Sequence, residues 1–427
     1  MMRIKRSIAV NLLGFFIPIV TTLLSIPIFL HELGTSAYGI IILASSVAGA
    51  ISSIDLGASF ATVRFVSSDI HKKSYIDAVS VIKVSLTFYA LLGLVVSFGV
   101  FVFSNSILGW FDINESMKSE ALSVFRIVAV QTSITLVFGC ISGIFKAIDN
   151  FDIAVALNGA SNILMNLGAA GLLYLHYIDL VGMAYFQLAV AAALTTLAYC
   201  LMRIKLAQIG CHFKSGTFNR ATIRRIFSFG AVMTLHTIVG ALFSNGIRIL
   251  IGKLSGVESI TIYHIAFAAF SKIQGFVNAI MEVAYPQASR LDANRIWNFF
   301  RKAQKFNISI TLSLIVLAWV AAPIFFHLWV GKEVASKVSE LTPWLLAAYM
   351  FISISALPYH VLNGIGKPII SVVYSIGNAT VFLISLLIIM KLGSDFKSVA
   401  IAYAISNCLS GLVFQAYVPR ILKEYSQ

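Results

Sequence analysis

Twelve apolar stretches, each 23 to 29 residues long, run through this 427-residue chain, near 8–30, 37–62, 76–104, 118–142, 152–175, 180–202, 224–252, 258–284, 305–330, 338–361, 367–390 and 397–419. A helix of about 20 apolar residues crosses the roughly 30 Å hydrocarbon core of a bilayer, so the pattern predicts an all-α integral membrane protein with about 12 transmembrane helices. Composition agrees. Only 11% of the residues are charged, against about 25% in an ordinary soluble domain, and the mean hydropathy is +0.91. Such a chain lacks the polar side chains to cover a soluble surface. The first stretch is too long for a signal-peptide core, and no small-residue cleavage pattern follows it, so it reads as an uncleaved first span.

The formal charge of +14 would suggest nucleic acid if the basic residues formed a patch. Sorted along the helix count with the N-terminus inside, 22 of the 31 Lys and Arg fall in cytoplasmic segments and six in outer loops. The other three, Arg126, Arg248 and Lys272, fall inside helices. This is the positive-inside bias, which predicts both termini in the cytoplasm and no nucleic-acid partner. The four cysteines, Cys140, Cys200, Cys211 and Cys408, form no CxxC pair. Neither a disulfide framework nor a zinc site is expected.

The halves echo each other. Asn162 and Asn378 are 216 positions apart, Ala184-Tyr185 and Ala402-Tyr403 218, and Trp110 and Trp329 219. Each pair holds the same place in the helix count, which predicts two six-helix lobes, 1–203 and 224–427, around a central cavity. A polar cytoplasmic connection, 204–223, joins them as a hinge. An even number of helices per repeat orients both lobes alike, the arrangement of a transporter with an axis along the membrane normal.

An ionisable group at bilayer depth costs about 2.5–3.5 kcal/mol on insertion scales and marks a pathway or a cavity. Ser52, Asp55, Ser59 and Thr62 are spaced to share a face of the second helix, Thr237, Ser244 and Arg248 of the seventh, and His264, Ser271, Asn278 and Glu282 of the eighth, with Lys272 beside them. Arg64 stands near a helix end and Arg126 within the fourth helix. The small cationic excess of this interior suits an anionic substrate such as a phosphate group. Structural roles compete with this reading: a cap or ion pair for Asp55 and Arg64, snorkelling for Arg126 and Arg248, packing for His264. Asn158, Asn162 and Asn166 read as hydrogen-bonding glue between helices, and so does the face carrying Ser371, Ser375, Asn378 and Ser385.

Catalytic and nucleotide motifs fail. Asn363-Gly364-Ile365-Gly366-Lys367-Pro368 has Val361 and Pro368 where a phosphate loop needs Gly and Ser or Thr. Asp149 and Asp152 could be imagined as a metal pair, but helix capping explains Asp152. No enzyme, no metal and no cofactor is expected, so transport would draw on an ion gradient, the membrane potential or the substrate's own gradient.

The segment Ile54-Asp55-Leu56-Gly57-Ala58-Ser59-Phe60-Ala61-Thr62-Val63-Arg64, after Leu33-Gly34-Thr35-Ser36-Ala37-Tyr38-Gly39, resembles the start of Wzx-type O-antigen flippases. These belong to the polysaccharide transporter family of the multidrug/oligosaccharidyl-lipid/polysaccharide exporter superfamily. The resemblance extends through Tyr285-Pro286-Gln287-Ala288-Ser289-Arg290 over essentially the whole chain. It implies a V-shaped pair of lobes, a cavity lined mainly by helices 1, 2, 7 and 8, and alternating access. The substrate it implies is an undecaprenyl-pyrophosphate-linked oligosaccharide, carried from the cytoplasmic to the periplasmic leaflet of the bacterial inner membrane.

Asp55 and Arg64 match the pattern directly, Asp55 as the ion-coupling candidate. Arg248, Lys272, Arg126, His264, Asn278 and Glu282 join Arg64 as substrate-binding candidates by position. Beyond the lipid bilayer, a polysaccharide polymerase and a chain-length regulator are the expected partners. The alternatives are a cation-coupled multidrug antiporter of the same superfamily and a flippase for peptidoglycan precursor. A membrane-embedded glycan polymerase would need a long outer loop, and every outer loop here is short.

Overall fold

The computed structural model describes residues 2–53, 58–213, 216–289, 291, 293–392 and 396–426, with backbone alone at 2–13, 15, 229–239, 241, 242, 286, 293 and 392. Among them every regular element is helical, as a chain in lipid requires when its backbone groups must be satisfied within the segment. The chain divides into two compact units. Unit 1 comprises Met1–Ile249 with Gly256–Glu258, and unit 2 comprises Leu250–Ser255 with Ser259–Gln427.

Unit 1 contains α1 (Met2–Ser52), α2 (Ala58–His71), α3 (Tyr75–Leu108), α4 (Lys118–Ala147), α5 (Phe151–Asn162), α6 (Ala169–Tyr174), α7 (Leu180–Gln208) and most of the first half of α8 (Arg220–Met281). Unit 2 takes the rest of α8, then α9 (Ala284–Ala288), α10 (Ala293–Val330), α11 (Lys332–Ile354), α12 (Ala356–Gly364), α13 (Pro368–Leu392) and α14 (Phe396–Tyr425).

Ten helical segments of the described residues are long and apolar enough to cross a membrane, against twelve expected. Two of the ten explain the difference. Phe16–Ser52 and Phe243–Met281 have 37 and 39 residues, roughly 55 Å or more at about 1.5 Å per residue and far beyond one bilayer. Each is broken at a glycine, Gly34 (φ 76°, ψ 171°) and Gly256 (φ 78°, ψ 171°), a backbone conformation that glycine adopts without strain. Counting the segments on either side of these breaks recovers twelve. The two glycines lie 222 positions apart, a repeat signal stronger than the side-chain matches because both occupy the same backbone state.

The second expected helix differs. Expected from 37 to 62, it is described as α1 up to Ser52 and as α2 from Ala58, so the face expected of Ser52, Asp55, Ser59 and Thr62 is described only in part. Asp55 lies outside the described residues. Thr62 is buried and its hydroxyl pairs with Ser85 Oγ at 2.7 Å, which fastens α2 to α3.

The core of unit 1 is built where α2, α3, α4, α5 and α7 meet, on Ile82, Ile141, Ile144, Phe145 and Met202. Helices α3 and α4 approach so closely that a methyl on Gly93 would lie 2.8 Å from Ser133 Cβ. The polar connection after α7 is fastened to this unit. Lys83 Nζ donates to Gly216 O at 2.7 Å, Thr217 N donates to Ser80 Oγ at 3.0 Å, and Phe213 lies under the Arg203 guanidinium at 4.6 Å. Cys211 is buried within the connection, and burial raises its thiol pKa.

In unit 2 one backbone carbonyl organises the packing of three helices. Pro358 has no N–H to offer the carbonyl four residues before it, Ile354 O, and the α11–α12 break falls at Ser355. Side-chain amides replace the missing donor: Asn307 Nδ2 at 2.9 Å, Gln304 Nε2 at 3.1 Å and Gln415 Nε2 at 3.2 Å. Gln304 Nε2 also donates to Gln415 Oε1 at 2.8 Å, which closes a network across α10, α11 and α14. Asn307→Leu is expected to cost about 1–3 kcal/mol through lost donors at a buried carbonyl, read as a lower thermal midpoint in detergent. In a Pro358→Ala background, where the backbone N–H returns, the same change should cost measurably less.

Candidate functional site

Within unit 1 a cavity of about 850 Å³ opens among α1, α2, α4 and α5, inside the range of roughly 300–1,000 Å³ typical of ligand sites. Three of the four helices give it a repeating stripe. From α4 come Gly139, Ser142, Gly143 and Lys146, and from α5 come Val155, Asn158, Gly159 and Asn162. Both sets are spaced i, i+3, i+4, i+7, which is one helix face. From α2 come Ser59, Phe60, Val63 and Arg64, and from α1 Gly14 and Pro18.

Small residues make the space. A methyl on Gly139 would meet nothing within 4 Å, whereas one on Gly14 would press Val155 at 3.1 Å and one on Gly159 would press Ile17 at 3.0 Å. Gly139 therefore faces open volume, and the other two let α1 lie against α5. Pro18 removes the N–H that would bond Gly14 O, and both residues line the cavity.

Among the described residues, the charged groups of the cavity lining have one sign. The lining includes the guanidinium of Arg64 and the ammonium of Lys146, with no carboxylate among the described lining residues. Hydroxyls and amides surround them. Asn158 Nδ2 donates to Ser142 Oγ at 2.8 Å and to Ala154 O at 2.7 Å, so it joins α5 to α4 as expected of interhelical glue. Asn162 and Asn166 differ from that expectation: their Nδ2 groups donate to Asn158 O and Asn162 O, both at 3.0 Å, on their own helix.

Directly after this run the chain forms a π-helical turn, Ile163–Gly168, and Gln187 Nε2 on α7 donates to Met165 O within it at 3.1 Å. Amides that take up i−4 carbonyls compete with the regular ladder, and the π turn widens the helix at the end of the cavity wall.

The remaining sequence candidates lie elsewhere. The Arg126 guanidinium stacks over Phe101 at 4.6 Å. Arg248 is half-buried on α8, within electrostatic reach of Tyr38. One turn before it, a methyl on Gly49 of α1 would lie 3.3 Å from the Asn245 amide nitrogen. In unit 2, His264 and Lys272 are half-buried on α8. Asn278 Oδ1 pairs with His360 Nε2 at 3.1 Å, and Glu282, in the turn after α8, interacts electrostatically with His360.

The structure thus brings Arg64 to Lys146, and Asn278 and Glu282 to His360. Sequence reasoning missed Lys146, which it counted as a loop charge, and His360. The small-and-polar stripes on helices 4 and 5 were the signal for the former. Nothing in the sequence linked His360 to a residue 82 positions away. Among the described residues no group of three or more His, Cys, Asp and Glu could hold a metal ion.

The fold is shared with membrane transporters. The inward-facing conformation of a multidrug resistance MATE family transporter of the MOP superfamily matches with a TM-score of 0.80 at 14% identity, over 97% of this chain and 98% of that one. A MOP superfamily transporter from Pyrococcus furiosus, described for the reverse polarity of its binding pocket, matches at 0.59 and 16% identity, over 99% of this chain and 94% of that one.

Among curated proteins, one from Shigella flexneri named as an O-antigen transporter is 21% identical over 417 residues, 97% of each chain. Another of that name, from Escherichia coli K12, is 28% identical over 144 residues, 34% of this chain and 33% of that one. The profile of the polysaccharide biosynthesis protein family matches residues 4–292. With its helical membrane fold and a match over well more than half of its length, the chain belongs to the polysaccharide biosynthesis protein family.

Proposed function

We propose that this protein is a flippase that carries an undecaprenyl-pyrophosphate-linked oligosaccharide, the repeat unit of O-antigen or a related surface polysaccharide, from the cytoplasmic to the periplasmic leaflet of the bacterial inner membrane. The observation that carries the reading is the cavity with Arg64 and Lys146 and no acid among its described lining residues. By the distribution of basic residues, the end of α4 that bears Lys146 faces the cytoplasm, the side on which lipid-linked sugars are loaded. Arg64 and Lys146 pair with the pyrophosphate, for which guanidinium and ammonium are matched donors. Ser59, Ser142, Asn158 and Asn162 supply hydrogen bonds to the first sugar. Family membership and the relatives named as O-antigen transporters support the same class of substrate.

Transport proceeds by alternating access of the two lobes, 1–203 and 224–427, with both termini in the cytoplasm and Asp55 coupling the cycle to an ion gradient. Arg248, Lys272, Arg126, His264, Asn278 and Glu282 are contacts further along the path. The polymerase and the chain-length regulator of the same polysaccharide receive the product.

A multidrug antiporter is the second reading, favoured by the fold match to MATE transporters. A cationic drug would be repelled by both charges in the cavity.

In a flippase-deleted strain complemented by this chain, Arg64→Ala and Lys146→Ala should each lower surface glycan while leaving the protein in the membrane. A hydrogen bond to a charged group contributes about 1.5–3 kcal/mol, so roughly a tenfold or larger loss is expected for each. Glycan display at the parental level in both variants, with cation-driven drug efflux retained in vesicles, would support the antiporter instead. Gly139→Leu tests the volume separately from the charge. It should leave thermal stability near the parent, since open space surrounds the added side chain, yet reduce export of the bulky glycan, measured on the same strains.

A further inference from the structure

Two guanidinium groups share one aromatic ring beside the cavity. Arg64 Cζ lies 5.9 Å from the Phe65 centroid, and Arg225 Cζ, from the first turns of α8, lies 4.2 Å from it. Like charges so placed repel unless one of them is neutralised. Asp69, one turn beyond Phe65 on α2, does this. Its side chain is 5% exposed, and it accepts Arg225 Nη1–H on Oδ2 and Nη2–H on Oδ1, both at 2.8 Å. This is the bidentate geometry that fixes orientation as well as charge. Asp69 stands near the end of α2, where Ser74 N donates to its backbone carbonyl at 2.8 Å and Lys73 at φ 60° turns the chain away. On the other side, Phe227 of α8 meets Phe88 of α3 edge to face at 4.9 Å. The start of α8 is thereby fixed to α2 and α3 together.

We propose that Asp69 and Arg225 are positioning residues for the cavity, a neutralised clamp that holds α2 against α8 and keeps Arg64 at the cavity wall for an anion of the phosphate class. This rests on the cavity reading given under Proposed function. Asp69 does not line the cavity; it acts through Arg225 and Phe65. The proposal also opposes simple electrostatics in sign. Removing an acid near a cationic site adds positive charge and should by itself strengthen anion binding. If the clamp positions Arg64, removing Asp69 weakens binding, because the unpaired Arg225 guanidinium then competes with Arg64 for the face of Phe65 and the helix loses its tie.

The experiment titrates the full chain in nanodiscs with farnesyl pyrophosphate, a soluble polyprenyl pyrophosphate. Asp69→Asn is expected to weaken binding by about tenfold, the scale of coupling between neighbouring charged groups. The exchanged pair D69R/R225D should return to within about threefold of the parent, and it serves as the second arm if Asp69→Asn alone is not recovered folded. Arg64→Gln should lose most of the affinity, and Asp69→Asn should add little in that background, since both changes remove one interaction. Unchanged or tighter binding by Asp69→Asn, an exchanged pair that fails to restore binding, or full additivity with Arg64→Gln overturns the positioning role. Arg64→Gln binding like the parent overturns the cavity reading, and the clamp with it.

Discussion

Inside a bilayer, no water is available to accept the hydrogen bonds that a chain leaves unmade. Departures from regular helix among the described residues follow that constraint: they fall between spans or are repaired by side chains. Where α1 and α8 each divide into two spans, the junction is one glycine, Gly34 or Gly256, in a conformation that costs glycine little. Where Pro358 strips Ile354 of its donor, three side-chain amides supply substitutes. Where the helix beyond Asn162 widens into a π turn, Gln187 reaches across for Met165 O. Arg64 and Lys146 are exposed side chains on the cavity lining, where each can meet an anionic ligand with a charge-assisted hydrogen bond.

Much of this was legible in the chain. Helix number followed from apolar run length. The LGTSAYG segment was recognisable as a pattern, and the structure supplies its physical reason at the first glycine, which holds φ 76°. Gly256 carries no comparable motif, yet it performs the same turn 222 residues later. Side-chain matches between repeats caught the symmetry, but this backbone match states it more directly.

The site was only half legible. Arg64 was visible because it closes a motif. Lys146 was hidden by the bookkeeping that assigned it to topology, although Gly139, Ser142, Gly143 and Lys146 form a face no less regular than the stripes singled out on other helices. Asn162 and Asn166 were read as contacts between helices, but an amide can turn back to its own helix when the i−4 carbonyl is within reach, and periodicity alone does not distinguish the two. Asp69 gave no signal, since its partner Arg225 is 156 positions away and both looked like ordinary charges of cytoplasmic segments. Long-range pairs of this kind become readable only after folding.

The proposed flippase activity is tested most directly by reconstitution. The purified chain is placed in liposomes that carry a labelled undecaprenyl-pyrophosphate-linked oligosaccharide in both leaflets, under an imposed ion gradient, and the fraction open to an external membrane-impermeant glycosidase is followed. The account predicts that this fraction rises from about half, set by the outer leaflet alone, toward completion when the protein is present. A fraction that stays at the level of protein-free liposomes, with the protein folded and inserted, would contradict it.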